Sequence, residues 1–149
     1  MDALIFMIDG GRYAVPLARI AEVVPAVNVR VLPAAPSIVE GVVNVRGEIV
    51  PVLAFRERLG HAPAPVRATE YFVIVHTRSR RAIIRSDAAP EIRTLPELAP
   101  SLAEPIGRAL AGVIALPDGV VVFHDIDQFI DASDDGALEM LLGAGIVAA

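Results

Sequence analysis

The 149-residue chain is 54% hydrophobic and 21% charged, with a formal net charge of −5 and no cysteine. That balance excludes disorder and demands a large buried interior or an adhesive surface. The acidic charge leaves no basic field for a phosphate backbone, so nucleic-acid binding is disfavoured, and the missing thiols exclude disulfides, cysteine nucleophiles and cysteine metal sites. Met1-Asp2 lacks the basic, apolar opening of a secretory leader, and the apolar runs are too short or too interrupted to span a bilayer. The expectation is a soluble cytoplasmic protein with no direct membrane insertion.

Residues 3–8 form a short apolar run that ends at Asp9-Gly10-Gly11, a two-strand turn signal, and Tyr13-Ala14-Val15 resume a strand. Pro16 suits the first turn of a helix, and Leu17, Ile20, Val23 and Val24 follow at helical spacing, predicting a short helix over residues 17–24 stopped by Pro25. Residues 27–32 read as a half-exposed strand, and Pro33-Ala34-Ala35-Pro36 as a rigid connection. Residues 41–59 (GVVNVRGEIVPVLAFRERL) place two β-branched runs around an Arg46-Gly47-Glu48 bend, the signature of a hairpin. Residues 61–67 (HAPAPVR) read as a linker. Tyr71-Phe72-Val73-Ile74-Val75 then restart the plan, and residues 94–105 read as an irregular, proline-rich connection.

The hairpin pattern of residues 41–59 returns as GVIALPDGVVVFHDIDQFI over residues 112–130, in ungapped register. Gly41 meets Gly112, Val50 meets Val121, Phe55 meets Ile126 and Leu59 meets Ile130. The recurrence indicates a chain built twice from one β-rich plan. A short C-terminal helix is predicted over residues 134–142, with its N-cap at Ser133 and its stripe on Ala137, Leu138, Leu141 and Leu142. About ten short strands with little helix make an all-β sandwich or barrel protein, and two similar halves favour two small barrels packed together.

The run from Ile5-Phe6 through Gly11-Arg12-Tyr13-Ala14-Val15-Pro16-Leu17, Ile20-Ala21-Glu22-Val23-Val24 and Pro33…Pro36 to Asn44-Val45-Arg46-Gly47-Glu48-Ile49-Val50-Pro51-Val52-Leu53 resembles the CheW-like domain of bacterial chemotaxis. The likeness covers essentially the whole chain, tightly over the first sixty residues and more loosely after them. It implies one domain over residues 1–149 made of two five-stranded SH3-like β-barrels. The lobes would cover approximately residues 1–65 and 66–149, with strand exchange between them left open.

The resemblance also implies a non-catalytic adaptor that couples chemoreceptor signalling tips (methyl-accepting chemotaxis proteins) to the regulatory domain of a CheA-type histidine kinase. Such a protein works in the cytoplasm at membrane receptor arrays, without a cofactor. By position, Leu17, Ile20 and Glu22 fall on the kinase-facing surface. Asn44, Arg46, Gly47 and Ile49 fall in the receptor-coupling motif beside the groove between lobes.

The residues themselves leave choices open. Leu17 and Ile20 can anchor a partner or cap their own core. Arg46 can fix the hinge between lobes, pair with a receptor acid or sit solvated. Gly47 reads first as a turn residue with positive φ. The chain departs from the family at Ala54, where an acid is usual, at Ile83, where a flexible Gly is usual, and at Ile84-Arg85-Ser86-Asp87, where an apolar strand ending in Asp is usual. Arg85 and Ser86 are expected to be exposed, because burial without partners would cost a few kcal/mol each.

An altered outer surface there raises a second reading, a CheW-like protein that binds receptors without recruiting kinase. The third reading is a small β-barrel enzyme or ligand-binding protein. His124 and Asp127 are too few for a metal site and would face opposite sides of a strand. No serine elbow or phosphate loop is visible either, so neither catalytic nor metal-ligating residues are expected.

Overall fold

A computed structural model of the chain describes residues 1–96 and 110–143. In chain order the strands are β1 (Asp2–Ile8), β2 (Gly11–Pro16), β3 (Ile20–Pro25), β4 (Val39–Val45) and β5 (Glu48–Leu53), then β6 (Tyr71–His76), β7 (Arg81–Ser86), β8 (Glu91–Thr94), β9 (Leu110–Leu116) and β10 (Gly119–His124). Three short helices complete the described fold: α1 (Phe55–Arg58), α2 (Ile126–Phe129) and α3 (Ala132–Leu142). The strands form two five-stranded sheets, ordered β8-β1-β2-β10-β9 and β3-β6-β7-β5-β4. These are the two small barrels expected of an all-β chain.

The duplication is carried into three dimensions. β4, β5 and α1 recur as β9, β10 and α2 in the register that sets Gly41 on Gly112, and β3 recurs as β8 in that same register. The first hairpin, β1–β2, recurs as β6–β7. A boundary near residue 65 does not separate the sheets, however. The β1–β2 hairpin pairs with β8 and β10 of the second repeat, while β6–β7 pair with β3 and β5 of the first. Each barrel takes one hairpin from one repeat and three strands from the other.

This exchange explains the high apolar content, because the central strands bury both faces. In β1, Leu4, Phe6 and Ile8 face a core between the sheets, while Ala3 and Ile5 face the interior of the first barrel. In β6, Val73 and Val75 join the shared core and Phe72 and Ile74 fill the second barrel. Phe55 and Phe129, leading and ending the equivalent helices α1 and α2, stack at the centre with ring centroids 4.3 Å apart.

The second barrel closes through the connection after β3. Arg30 and Val42 exchange backbone hydrogen bonds of 2.9 and 3.0 Å. Gly41 makes that approach possible: a Cβ there would meet Val29 Cγ1 at 2.5 Å and the Arg30 carbonyl oxygen at 2.6 Å.

Several expectations are corrected. The helix expected over residues 17–24 is a single 3-10 turn, Leu17–Arg19, followed by β3. A bulge between Ile20 and Glu22 puts Ile20 on the shared core and both Ala21 and Val24 on the second-barrel core. The residues that read as one helical stripe therefore face two different cores, re-aimed by the bulge. The strand expected over residues 27–32 is reduced to the one bridge at Arg30. β8 stands where no strand was expected.

The C-terminal helix begins at Ala132, capped by Asp131 in a capping box with Asp134 and not by Ser133. It docks through buried Leu138 and through Arg58, whose guanidinium donates to both Asp134 carboxylate oxygens at 2.7 and 3.0 Å. Most of the proline-rich connection expected after Thr94 lies outside the described residues.

Candidate functional site

The β4–β5 hairpin turns through Arg46 and Gly47, both with positive φ (49° and 90°), which is the two-residue geometry that matches strand twist. Asn44 Oδ1 accepts the Gly47 N–H at 2.8 Å, so Asn44 holds the turn. Gly47 supplies the positive φ expected of it. Ile49, opposite Asn44 in the ladder, is half-buried. The Arg46 guanidinium reaches Glu22 on β3 and forms an ion pair with it.

One residue from each of the two sets that the resemblance implies, Glu22 and Arg46, is thus brought into contact. Leu17 and Ile20 are half-buried, with Ile20 packed on the shared core, and Val23 beside them is 37% exposed.

The first barrel carries the same clasp with the charges reversed. Arg93 of β8 is the repeat equivalent of Glu22, and the β9–β10 turn holds Asp118 one place beyond the equivalent of Arg46. Arg93 donates to Asp118 at 2.6 and 3.1 Å, and Arg12 of β2 adds bonds of 3.2 and 3.4 Å. The hydrogen bonds from Arg93 and then Arg12 hold the Asp118 carboxyl well below the usual range. On the outward side of this hairpin Val113 and Val120 are 58% and 53% exposed.

Two further networks were not anticipated in the sequence. Arg56 of α1 is buried and donates to Asp9 in the β1–β2 turn at 2.6 Å and to Asp87 beyond β7 at 2.5 Å. Asp87 also accepts the Asp9 N–H at 2.7 Å, and His61 joins Asp9 to the Tyr13 hydroxyl. This network ties one barrel to the other. The hydrogen bond from Arg56 holds Asp9 below the ordinary carboxyl range. Ala54 is itself buried beneath the corner, so the acids there come from Asp9 and Asp87.

Asp127, the equivalent of Arg56 in α2, instead accepts from Arg19 at 2.5 Å and from the Arg78 N–H at 2.7 Å. His124 lies at the end of β10 against Phe55 and Tyr13. The strand expected to carry His124 and Asp127 on opposite faces stops at His124, because Asp125 caps α2.

The second network overturns the exposure expected for Arg85 and Ser86. Arg85 is 4% exposed and places all five of its donors. Nε and Nη2 bind the two oxygens of Glu70 at 2.8 and 3.0 Å, Nη1 binds Glu40 at 2.8 Å, and the carbonyls of Ala64 and Pro65 take the rest at 2.9 and 3.1 Å. Burial alone would raise the Glu70 carboxyl, but the Arg85 and Arg67 hydrogen bonds hold it below the ordinary range. Ser86 accepts the Met7 N–H and donates to the Ala88 carbonyl. Ile83 sits in the second-barrel core. A charged residue between Ile84 and a strand end was the available signal, but its acids lie 15 and 45 residues away in sequence.

The family model for the CheW-like domain matches residues 2–134. The chain belongs to this family. It is similar to the chemotaxis protein CheW of Rhizobium meliloti, 23% identical over 138 residues and 89% of each chain. It also resembles that of Helicobacter pylori, 33% identical over 72 residues, covering 48% of this chain and 44% of the other. A solved structure of the scaffolding protein TtCheW from Thermoanaerobacter tengcongensis superposes with a TM-score of 0.74 at 20% identity, over 89% of each chain. That likeness establishes the fold of two SH3-like barrels. The protein is thus a CheW-like chemotaxis adaptor, and no described helix is long and apolar enough to cross a membrane.

Proposed function

We propose that this CheW-like adaptor couples chemoreceptor signalling tips to the regulatory domain of a CheA-type histidine kinase, in the cytoplasm beneath receptor arrays and without chemistry of its own. The observation that carries the reading is the Glu22–Arg46 ion pair. It joins Glu22, from the set Leu17, Ile20 and Glu22 read as kinase-facing, to Arg46, from the set Asn44, Arg46, Gly47 and Ile49 read as receptor-coupling, which supports a single composite docking rim. Half-buried apolar side chains ringed by a charged pair suit a protein partner. The alternative of an adaptor that omits the kinase drew on exposed polar residues at 85 and 86, and their burial removes that support.

Co-sedimentation with receptor signalling tips, with and without CheA, tests the proposal. Association with both partners is expected. Binding to receptor alone removes the kinase from the reading, and binding to neither overturns it.

A further inference from the structure

The chain crosses from one barrel to the other between β2 and β3, and that crossing carries Leu17 and Ile20. Pro16 at the end of β2 pairs with Ala3, and Ile20 at the start of β3 pairs with Val75. Between them Leu17–Arg19 is a single 3-10 turn with no side-chain capping bond and no buried residue. A segment with so few ties keeps one shape only if something outside it supplies a tether.

Asp127 supplies one. Its side chain is 13% exposed, and each carboxylate oxygen has a partner. Oδ2 accepts from the Arg19 guanidinium at 2.5 Å, and Oδ1 accepts the Arg78 N–H at 2.7 Å. The base of this tether is fixed. The Asp127 N–H donates to Asp125 Oδ1 at 3.0 Å in the cap of α2, and buried Ile126 and Phe129 anchor that helix. The turn that carries Arg78 is held as well: Thr77 and Arg80 bond each other across it, and Arg80 reaches Asp135 and Glu139 of α3. Arg19, by contrast, is 42% exposed and leans on Asp127 alone among the described residues.

The other repeat contains the same device. Arg56 of α1, the equivalent of Asp127, binds Asp9 in the β1–β2 turn and Asp87 beyond β7. Asp127 binds Arg78, which stands in the β6–β7 turn where Asp9 stands in the β1–β2 turn, and Arg19 beyond β2. Each one-turn helix therefore joins the tip of one hairpin to the exit of the other. The exit held by Asp127 is the one that runs into Leu17 and Ile20.

We propose that Asp127 is the positioning residue of the docking rim. Through Arg19 it fixes the crossing so that Leu17 and Ile20 are presented in the shape a partner binds, and it does so without touching the partner. The inference rests on the reading that Leu17 and Ile20 face the kinase. Such preorganisation raises affinity by removing the cost of ordering a loop on binding.

The test compares Asp127→Asn, Arg19→Met and their combination with the natural full chain. Asparagine keeps an oxygen for the Arg78 N–H and removes the charge that holds Arg19. In the free protein, amide relaxation should show residues 17–19 falling below the rigid-backbone order parameter of about 0.85 in both single variants. In titrations against the regulatory domain of a CheA-type kinase, each single variant should bind about three- to tenfold more weakly, and the double variant no more weakly than Arg19→Met alone. Unchanged order at residues 17–19 overturns the proposal whatever the kinase does. So does lost order with unchanged affinity, and so do additive losses in the double variant, which would place the effect of Asp127 in the fold at large. Tighter binding by Asp127→Asn also overturns it, since Arg19 would then be a direct contact that Asp127 withholds. If the natural chain does not bind the kinase domain, the coupling reading fails, and the relaxation data alone decide whether Asp127 holds the crossing. Arg19→Met, at a half-exposed position, carries both measurements if Asp127→Asn fails to fold.

Discussion

Glu22 and Arg93 occupy equivalent positions, one in each barrel, and each pairs with the turn of a neighbouring hairpin while carrying the opposite charge. The same inversion relates Arg56 in α1 to Asp127 in α2. Duplication preserved the backbone plan and the places where a barrel needs a clasp. The sign of the charge was free to change so long as both partners changed. The two barrels therefore present different faces on one scaffold, which suits an adaptor that must hold unlike partners.

Arg46→Glu should weaken partner assembly while leaving the fold intact. The pair is exposed, with 67% of the Arg46 side chain in solvent, so its loss should cost less than about 1 kcal/mol in a urea titration. Glu22→Arg combined with Arg46→Glu restores the pair with reversed polarity. Recovery of partner binding in the double variant would assign Arg46 a role in shaping the rim. Continued loss would assign it a direct contact with a partner acid. Unchanged binding in the single variant would remove Arg46 from the site.

Arg85→Met should destabilise the protein by about 3–5 kcal/mol, because it strands the buried Glu70 carboxylate and leaves Glu40 without its cation. Adding Glu70→Gln should recover part of that loss. Denaturant unfolding of the single and double variants checks both statements, and a loss below about 1 kcal/mol for Arg85→Met would contradict the buried network.

Gly41→Ala should cost about 1–3 kcal/mol, since the new methyl group would collide with Val29 and the Arg30 carbonyl, where backbone hydrogen bonds prevent retreat. Thermal unfolding reads the effect. A neutral outcome would show that the closing segment is not held against β4.

Acid and alkaline limbs of stability should have separate causes. Glu40 is raised from 4.5 to about 7, so the folded chain binds its proton more tightly than the unfolded chain. Its contribution is full below 4.5 and is lost as pH rises through 7, amounting to about 1–3 kcal/mol. Glu40→Gln should therefore flatten stability between about pH 5 and 8 and make the variant the more stable protein at about pH 8. Asp9 and Asp118 are depressed, so their contributions are full above 3.8 and lost as pH falls through their folded-state values. Urea midpoints across this range, for the natural chain and the variant, check both limbs.

Much of this was readable in advance because it is written locally. The return of residues 41–59 as residues 112–130 located two hairpins, and Arg46-Gly47 announced its own turn, whereas the one-turn helices after the hairpins were not expected. The errors came where distant partners decide. Leu17, Ile20, Val23 and Val24 have helical spacing, but pairing with β6 makes a bulged strand in which Ile20 and Val24 face different cores and Val23 is exposed. Residues 91–94 become β8 only because β1 is there to pair with them. Arg85 looked like a surface residue because the acids and carbonyls that satisfy it lie on three other segments. The exchange of strands between barrels is also a long-range property, which a repeat in sequence does not reveal.

The most direct measurement is a binding titration of the full chain against the regulatory domain of a CheA-type kinase, repeated with receptor signalling tips present. Saturable binding that is weakened by Leu17→Asp and Ile20→Asp, in variants whose folding is confirmed, is the predicted result. No binding to the kinase domain in either condition would contradict the coupling role.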